Sequence, residues 1–561
     1  MIDRNHAFTK VDGVLFKQML KMLSLDFICN YDSLILKDTK KINKLAFALD
    51  MAVAGRSDES VWIRQAQEIR KQMTDSLIDS AFTYLPEGVK HDEIELIKRK
   101  LKRRRLELEA VASQYYRLLQ RTPVVAGTNQ SDYFLIERQA PDRTILRIYD
   151  PETGDCRLEQ QFSGRETKEL WLYGLAGNDT FEVKGNTRKD FPIYLISGEG
   201  ENQYQLNHNR KIHVYDKDYK YDYQKIKYHK ISFTPWGIYD SDKGISLGTF
   251  FTYTMYGFKR APFTYQHRIG YNYLKGFMYA GVFPNYDGRR RLYLNASISS
   301  PRNFENFFGF GNNTAGYKEE KKNYNRVKLR TYMLNPSFEM DLRKEEVVTF
   351  FGSLDMYKAK RTDDRYIYTV YGEDHPIFRT NYFVGLGATY RITKQPYSWL
   401  PLLETEWTAG WKMNLKKPER NFPYAQGSLS WNVRFSDRFT WASLMKGTVL
   451  FDNDYEFYQA ATIDLRGFRD NRFIGKQSFY QYSDLRLDMG KLKNPFTPLK
   501  YGLFAGFDYG RVWFPGERSH SWHTSYGGGI WLTFLNKFTT KYSWFGSTDS
   551  FRFAFELGLG F

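Results

Sequence analysis

Phe551-Arg552-Phe553-Ala554-Phe555-Glu556-Leu557-Gly558-Leu559-Gly560-Phe561 closes the chain. Every odd position is large and apolar, while the even positions carry Arg552, Glu556 and small residues. A period of two sends successive side chains to opposite faces of a strand, so one face here is oily and the other polar. Upstream the pattern recurs: Tyr501, Leu503, Phe507, Tyr509 and Trp513 oppose Gly502, Gly506, Asp508 and Gly510. Glycine on the second face suits a strongly curved wall. Segments of about 10 residues with this alternation follow one another from residue 228 to 561, separated by turns such as Tyr286-Asp287-Gly288 and Phe435-Ser436-Asp437. The count comes to about 16 strands. In hydrocarbon an unpaired backbone group costs several kcal/mol, so such a sheet must close on itself. The expected fold is therefore mainly β: an antiparallel transmembrane barrel of about 16 strands, preceded by a small α+β periplasmic segment.

Composition agrees with this reading. Mean hydropathy is −0.59, and no run of about 18 apolar residues is present to form a spanning helix. Aromatics nevertheless make up 17% of the chain, with 42 Tyr, 44 Phe and 12 Trp. Rings of that kind concentrate at lipid–water boundaries. A net charge of +18 raises nucleic acid as a partner, but the cations are dispersed among many acids, and the reading excludes it. The sharpest basic run, Lys98-Arg99-Lys100-Leu101-Lys102-Arg103-Arg104-Arg105, is expected as the solvated face of a helix, with anionic headgroups as a second role. Cys29 and Cys156 stand far apart and suggest neither a metal nor a redox pair.

Ahead of the barrel, residues 1–58 are mixed and contain a short apolar stretch from Leu15 to Ile28. Residues 59–125 read as helical: Ser57 and Asp58 cap a first helix carrying Val61, Ile69, Met73 and Ile78. Pro86-Glu87-Gly88 ends it, and a second helix runs from Asp92 to Leu119. Residues 126–227 form a small β domain, with strands at Tyr133–Arg138, Thr144–Tyr149 and Glu169–Tyr173. Asp216 to Lys227 is expected as the junction on the periplasmic side.

The most informative internal segment is Asp464-Leu465-Arg466-Gly467-Phe468-Arg469-Asp470, followed by Phe473-Ile474-Gly475 and Asp484-Leu485-Arg486-Leu487. Then come Gly506-Phe507-Asp508-Tyr509-Gly510-Arg511-Val512-Trp513, the triplet Gly527-Gly528-Gly529 and Phe561. This order of landmarks resembles the BamA/TamA superfamily of outer-membrane assembly factors and surface antigens. The resemblance implies that Arg466-Gly467-Phe468 folds back into the lumen as a loop lock. Alternation puts Asp484 and Asp508 on the lumenal face, where either could meet Arg466. The resemblance also makes Phe553, Phe555, Leu557, Leu559 and Phe561 the C-terminal barrel signal. Work on assembling or translocating outer-membrane components is implied, with outer-membrane lipid, barrel-assembly machinery and other outer-membrane proteins as partners. The mechanism implied is a weakly closed first–last strand seam, or a plug loop that changes position.

A second resemblance rests on Pro86, Leu101–Leu106, Thr167–Leu175 and Tyr253–Phe263, with Gly257-Phe258-Lys259-Arg260. These are similar to the C-terminal part of large Bacteroidetes envelope proteins that join a phosphoesterase or kinase-like region to this sheet and barrel. The catalytic half is not found. His6, His91, His208, His213, His229, His267, His375, His520 and His523 lie in none of the contexts a two-metal phosphoesterase requires. Asp3-Arg4-Asn5-His6-Ala7-Phe8 is similar to a kinase metal-binding segment, which implies a chain starting partway through an upstream domain. That would account for the lack of a legible export leader after Met1. No cofactor and no catalysis are expected. The alternative function is a passive channel, or the anchor of a separately encoded or lost enzyme.

Two segments, Gly174-Leu175-Ala176-Gly177-Asn178-Asp179-Thr180-Phe181 and Ser197-Gly198-Glu199-Gly200-Glu201-Asn202-Gln203-Tyr204, are spaced by 23 residues like calcium-binding repeats. Those repeats need adjacent stacked copies, and the second copy lacks the Asp. Asp179 is thus a weak calcium candidate, and two tight turns of the small sheet are the preferred reading.

Overall fold

In a computed structural model, the structure describes residues 28–32, 35–85, 91–186, 188–207, 211–216, 221–223, 229–240, 242–258, 260, 262–285, 288–314, 323–362, 364–394, 403–492, 499–534 and 538–559. The Asp3–Phe8 segment, Pro86-Glu87-Gly88, most of the Leu15–Ile28 stretch and Phe561 lie outside them. The chain divides into two compact units. One holds residues 1–229 with the tip Tyr256–Lys259; the other holds 230–255 and 260–561. The three segments distinguished on composition ahead of residue 228 fall within the first unit.

The first unit pairs helices with a two-sheet β layer. Asp58 stands at the N-cap of the helix Glu59–Gln72 with extended φ −76° and ψ 158°. The helical pattern does not continue to Pro86 as expected. It breaks at Met73, where Thr74 accepts from the amide of Leu77 and starts a new helix, Asp75–Ala81. The second expected helix is likewise two, His91–Leu106 and Leu108–Leu119. Within the basic run, several side chains tie down neighbouring chain and do not simply face water. Lys100 donates to the carbonyl of Tyr31 at 2.6 Å, and the Arg104 guanidinium lies 3.8 Å from the Tyr31 ring. Arg105 donates to the carbonyl of Met73 at 2.8 Å.

The β layer is a short parallel solenoid. Val124–Ala126, Leu170–Tyr173, Ile193–Ile196 and Ile212–Tyr215 stack as one parallel sheet. Tyr133–Gln139, Thr180–Gly185 and Gln203–Leu206 stack as the other, which the hairpin strands Arg143–Tyr149 and Cys156–Ser163 extend. Phe134, Ile136, Leu146, Leu170, Leu172, Phe181, Val183, Ile193 and Leu195 fill the space between the sheets. Residues 174–179 and 197–202 are tight turns that close strands of these sheets, as expected from the sequence. They are successive corner turns of one solenoid, and 127–132 is a third. The corners are stitched by side chains at equivalent positions. Asp179 accepts from the amide of Asp132 at 2.9 Å, and Asn202 accepts from the amide of Asp179 at 3.0 Å.

The second unit is a closed antiparallel barrel. Among the described residues, sixteen strands run neighbour to neighbour from Lys230–Asp240 to Phe551–Leu559, and a short extra strand, Phe304–Asn306, pairs with one end of Arg326–Arg343. Its polarity is the inverse of a soluble core. Ile231, Leu247, Phe277, Phe350, Leu386, Trp407, Leu503, Phe507 and Tyr526 are exposed on the outside, whereas Asp484 and Asp508 are buried inside. An apolar exterior this continuous is the face a barrel presents to hydrocarbon. No helix among the described residues is long and apolar enough to cross a membrane. Aromatics cover several wall glycines; a methyl group on Gly410 would meet the Tyr424 ring at 2.5 Å, and one on Gly427 would meet the Trp407 ring at 2.8 Å.

Candidate functional site: a loop tied into the barrel lumen

The loop between Phe439–Leu450 and Gln477–Leu492 is the element with the most unusual chemistry. It leaves the wall at the end of the barrel opposite to Lys230 and returns into the lumen. Apolar residues seat it: Ile463, Leu465, Phe468 and Phe473 pack on Tyr480 and Val512 of the inner wall. Between these anchors arginine recurs at every third position, Arg466, Arg469 and Arg472, and each reaches a different part of the wall.

Arg466 goes deepest. Its Nη1 donates to Asp484 Oδ1 at 2.6 Å, and its Nη2 donates to Asp508 Oδ1 at 2.5 Å. Nε donates to Asp508 Oδ2 at 3.0 Å, and the backbone amide of Arg466 donates to the same oxygen at 3.1 Å. The guanidinium also lies over the Phe545 ring, 3.9 Å from its centroid. Ser525 donates to Asp508 at 3.0 Å, so the carboxylate is saturated. Arginine suits this place because its planar fork can serve two carboxylates at once, which a lysine cannot do. Beside it, Gly467 leaves no room for a side chain. An added methyl would sit 2.7 Å from Ser525 Cβ and 2.9 Å from the Gly546 carbonyl. Ser547 donates to the Gly467 carbonyl at 2.7 Å. The structure therefore brings together all five residues singled out in the sequence at this loop: Arg466, Gly467, Phe468, Asp484 and Asp508.

The acids that answer the other two arginines, Asp242 and Asp549, were not legible in the sequence. Asp242, in the first turn of the barrel, takes Arg469 on Oδ1, with Arg552 of the last strand 3.3 Å from the same oxygen. The amide of Asp470 and Asn306 Nδ2 each donate to Asp242 Oδ2 at 3.0 Å. Arg472 Nε donates to Asp549 Oδ2 at 2.5 Å, Nη2 donates to Asp549 Oδ1 at 3.5 Å, and Nη1 donates to the Thr314 hydroxyl. The three-residue spacing of arginines is visible in the sequence; Asp242 and Asp549 are not, because nothing local marks either as their partner.

Above this loop, at the same end, the lumen is capped by an apolar cluster. Phe307, Tyr357, Ile367, Ile377, Phe378, Phe457 and Ile474 are buried together, drawn from separate loops and strand ends. Beneath the loop a cavity of about 440 Å³ remains, lined among others by Asp464, Arg486, Lys541 and Glu556.

The remaining nominated residues are placed as follows. In the last strand, Arg552 faces inward and is buried, whereas Phe551 is exposed and Phe553 is half-buried beside Trp544, at 5.0 Å between centroids. Phe555 pairs with Tyr542 and Tyr239 in the ladder. Leu557 and Leu559 belong to the strand by backbone. Asp179 lies in the solenoid, fully buried, with Oδ2 lacking a hydrogen-bond partner. Burial raises its carboxyl to a pKa of about 7. A half-protonated acid is a poor ligand for a hard cation. Among the described residues no group of three or more His, Cys, Asp or Glu side chains could hold a metal ion.

No family model and no curated protein sequence matches the chain. Among solved structures it is similar to BamA from Haemophilus ducreyi lacking POTRA domains 1–3, with TM-score 0.44 and 11% identity over 59% of this chain and 71% of that one. It is also similar to CdiB from Escherichia coli, with TM-score 0.37 and 10% identity over 59% and 63% of the two chains. For CdiB from Acinetobacter baumannii the TM-score is 0.34, with 11% identity over 60% and 66%. The chain thus spans less than two thirds of either CdiB. The barrel is read from its own strand pairing and polarity.

Proposed function

We propose that this chain is an outer-membrane protein that assists the assembly or translocation of outer-membrane or surface components. The observation that carries the reading is the seam. Lys230–Asp240 pairs with its sequence neighbour over eleven residues, from Lys230↔Thr254 to Asp240↔Gly244. With the last strand it pairs over three, Ile238↔Glu556, Tyr239↔Phe555 and Asp240↔Ala554. The last strand in turn pairs over nine residues with the strand before it. Among the described residues every other wall joint pairs over seven residues or more, so the seam is where opening breaks the fewest hydrogen bonds. Opened strand edges are templates for another strand. The reading assigns no catalysis, and the arginine-tied loop serves to hold the wall beside the seam, since Asp242 and Arg552 belong to the first turn and the last strand. The apolar cap speaks against a standing channel.

A disulfide across the seam tests the proposal. Tyr239→Cys with Phe555→Cys, in a chain whose Cys29 and Cys156 are replaced by Ser, should leave a folded barrel. Oxidised, it should fail to support insertion of a client barrel into liposomes; reduced, it should recover. Undiminished insertion by the oxidised form would sink the seam mechanism.

A further inference from the structure

The outward side chains of Arg326–Arg343 form a column. From the capped end it reads Lys328, Arg330, Tyr332, Leu334, Pro336 and Phe338, all exposed, while Val327 and Leu329 between them are buried. The next strand, Glu346–Ala359, repeats the arrangement: Lys358 is exposed, as is Lys360 just beyond the strand, and Leu354 and Phe350 follow below. The register sets these columns side by side. Arg330 is opposite Lys358, Leu334 opposite Leu354 and Phe338 opposite Phe350. The amide of Lys360 donates to the carbonyl of Lys328 at 2.9 Å, which places those two residues alongside each other as well.

Four cations therefore stand in two adjacent cross-strand pairs, directly above an apolar face. Like charges opposite one another in a sheet destabilise it. None of the four has a carboxylate partner among the described residues. Their platform is rigid, because Val327, Leu329, Tyr357 and Ala359 on the inner side belong to the packed cap. A hollow of about 240 Å³ lies among Lys328, Arg330, Lys358 and Lys360, with Ser300 and Asn303 at its margin. One more cation lies beside it, next to Pro301 and Asn303 of its margin: Arg302, stacked over Tyr273 at 4.0 Å.

Resting on the reading of this unit as membrane-embedded, we infer that Lys328, Arg330, Lys358 and Lys360 bind the phosphate of an anionic lipid in the leaflet at the capped end. The ligand must be oily below and anionic above, because the exposed Tyr332, Leu334, Leu354 and Phe350 continue the surface without a break. A phosphate bridging the two pairs turns mutual repulsion into shared attraction, and its acyl chains lie along the apolar columns. A soluble anion would leave those columns unused.

The full chain in phosphatidylcholine nanodiscs, doped with spin-labelled phosphatidylglycerol or spin-labelled phosphatidylcholine, tests this. The native chain should enrich the anionic label in its boundary shell, and Lys328→Thr with Lys358→Thr should lower that enrichment, by about five-fold per cation removed. Because these side chains face outward, the variant should keep the native shift in gel mobility on heating. Equal enrichment in native and variant proteins would overturn the inference. So would displacement of the label by inorganic phosphate beyond that by chloride at equal ionic strength, which would mark a soluble-anion site. A chain that does not enter the nanodiscs would instead overturn the membrane reading itself, so the two failures are distinguishable.

Discussion

The solenoid and the barrel are built from the same alternation and turn it in opposite directions. In the solenoid Phe134, Ile136, Phe181 and Val183 point into a dry interior between two sheets. In the barrel Leu503 and Phe507 point out, and Asp508 between flanking strands is buried in the lumen. The two also treat buried charge differently. Asp508 receives three donors of Arg466 and the hydroxyl of Ser525. Asp179 receives one backbone amide and keeps an oxygen unpaired. Period two states that a strand has two unlike faces; the surrounding solvent, water or hydrocarbon, determines which face is sealed. A barrel whose polar side is enclosed needs its acids neutralised by named partners, whereas the solenoid keeps Asp179 buried without a cation, its carboxyl pushed up to about 7.

That contrast can be broken hardest at Arg466. Arg466→Ala leaves the buried Asp508 without its cation and Asp484 with Arg486 alone, 3.5 Å away, and removal of one partner from a buried pair costs about 3–5 kcal/mol. The expected result is a large drop in the temperature at which the purified barrel unfolds in detergent, read as heat-modified mobility on gels. An unchanged transition would mean that the lumenal acids need no partner. Arg466→Lys should recover little, since one ammonium cannot hold both carboxylates.

A smaller loss is expected from Gly467→Ala. The new methyl must push against Ser525 and the Gly546 carbonyl, and overpacking of this kind costs about 1–3 kcal/mol. Here the charges stay in place, so a loss as large as that of Arg466→Ala would show that fit, and not charge, holds the loop.

The smallest effect belongs to the solenoid and depends on pH. With the native carboxyl raised to about 7 by burial, the folded state keeps a proton that the unfolded chain releases near pH 4. Stability of this region should therefore fall as pH rises from about 4 to about 7, by at most ~1.4 kcal/mol per pH unit, and level off above. Asp179→Asn removes the slope, so its advantage grows with pH across that window. Amide exchange over residues 174–204 of the full chain, compared at pH 5 and pH 8 after correction for intrinsic rates, measures it. Equal protection of both proteins at both values would show that the buried carboxyl carries no charge cost.

Much of this molecule is written in its residues. The alternation at residues 501–513 and 551–559 implies a strand with one oily face, and the run Arg466-Gly467-Phe468 followed by Asp484 and Asp508 contains the parts of the deepest tie. The break at Met73 was hidden because apolar spacing continues through it, and Thr74 as a cap is a local hydrogen bond that periodicity does not encode. The solenoid was hidden for a different reason: its first corner, 127–132, shares too few residues with the corners 174–179 and 197–202 to register as a repeat.

What the sequence determined alone is which face of each strand can meet lipid, since side-chain polarity and a period of two are properties of the local chain. What only the tertiary structure decided is which acid answers which arginine. Arg469 meets Asp242 across 227 residues of sequence and Arg472 meets Asp549 across 77. Partners so distant are set by barrel closure, which brings the first turn, the last hairpin and the lumenal loop to one end. Alternation fixes the direction of a side chain but not the shear between strands, and the shear determines which charges come within reach.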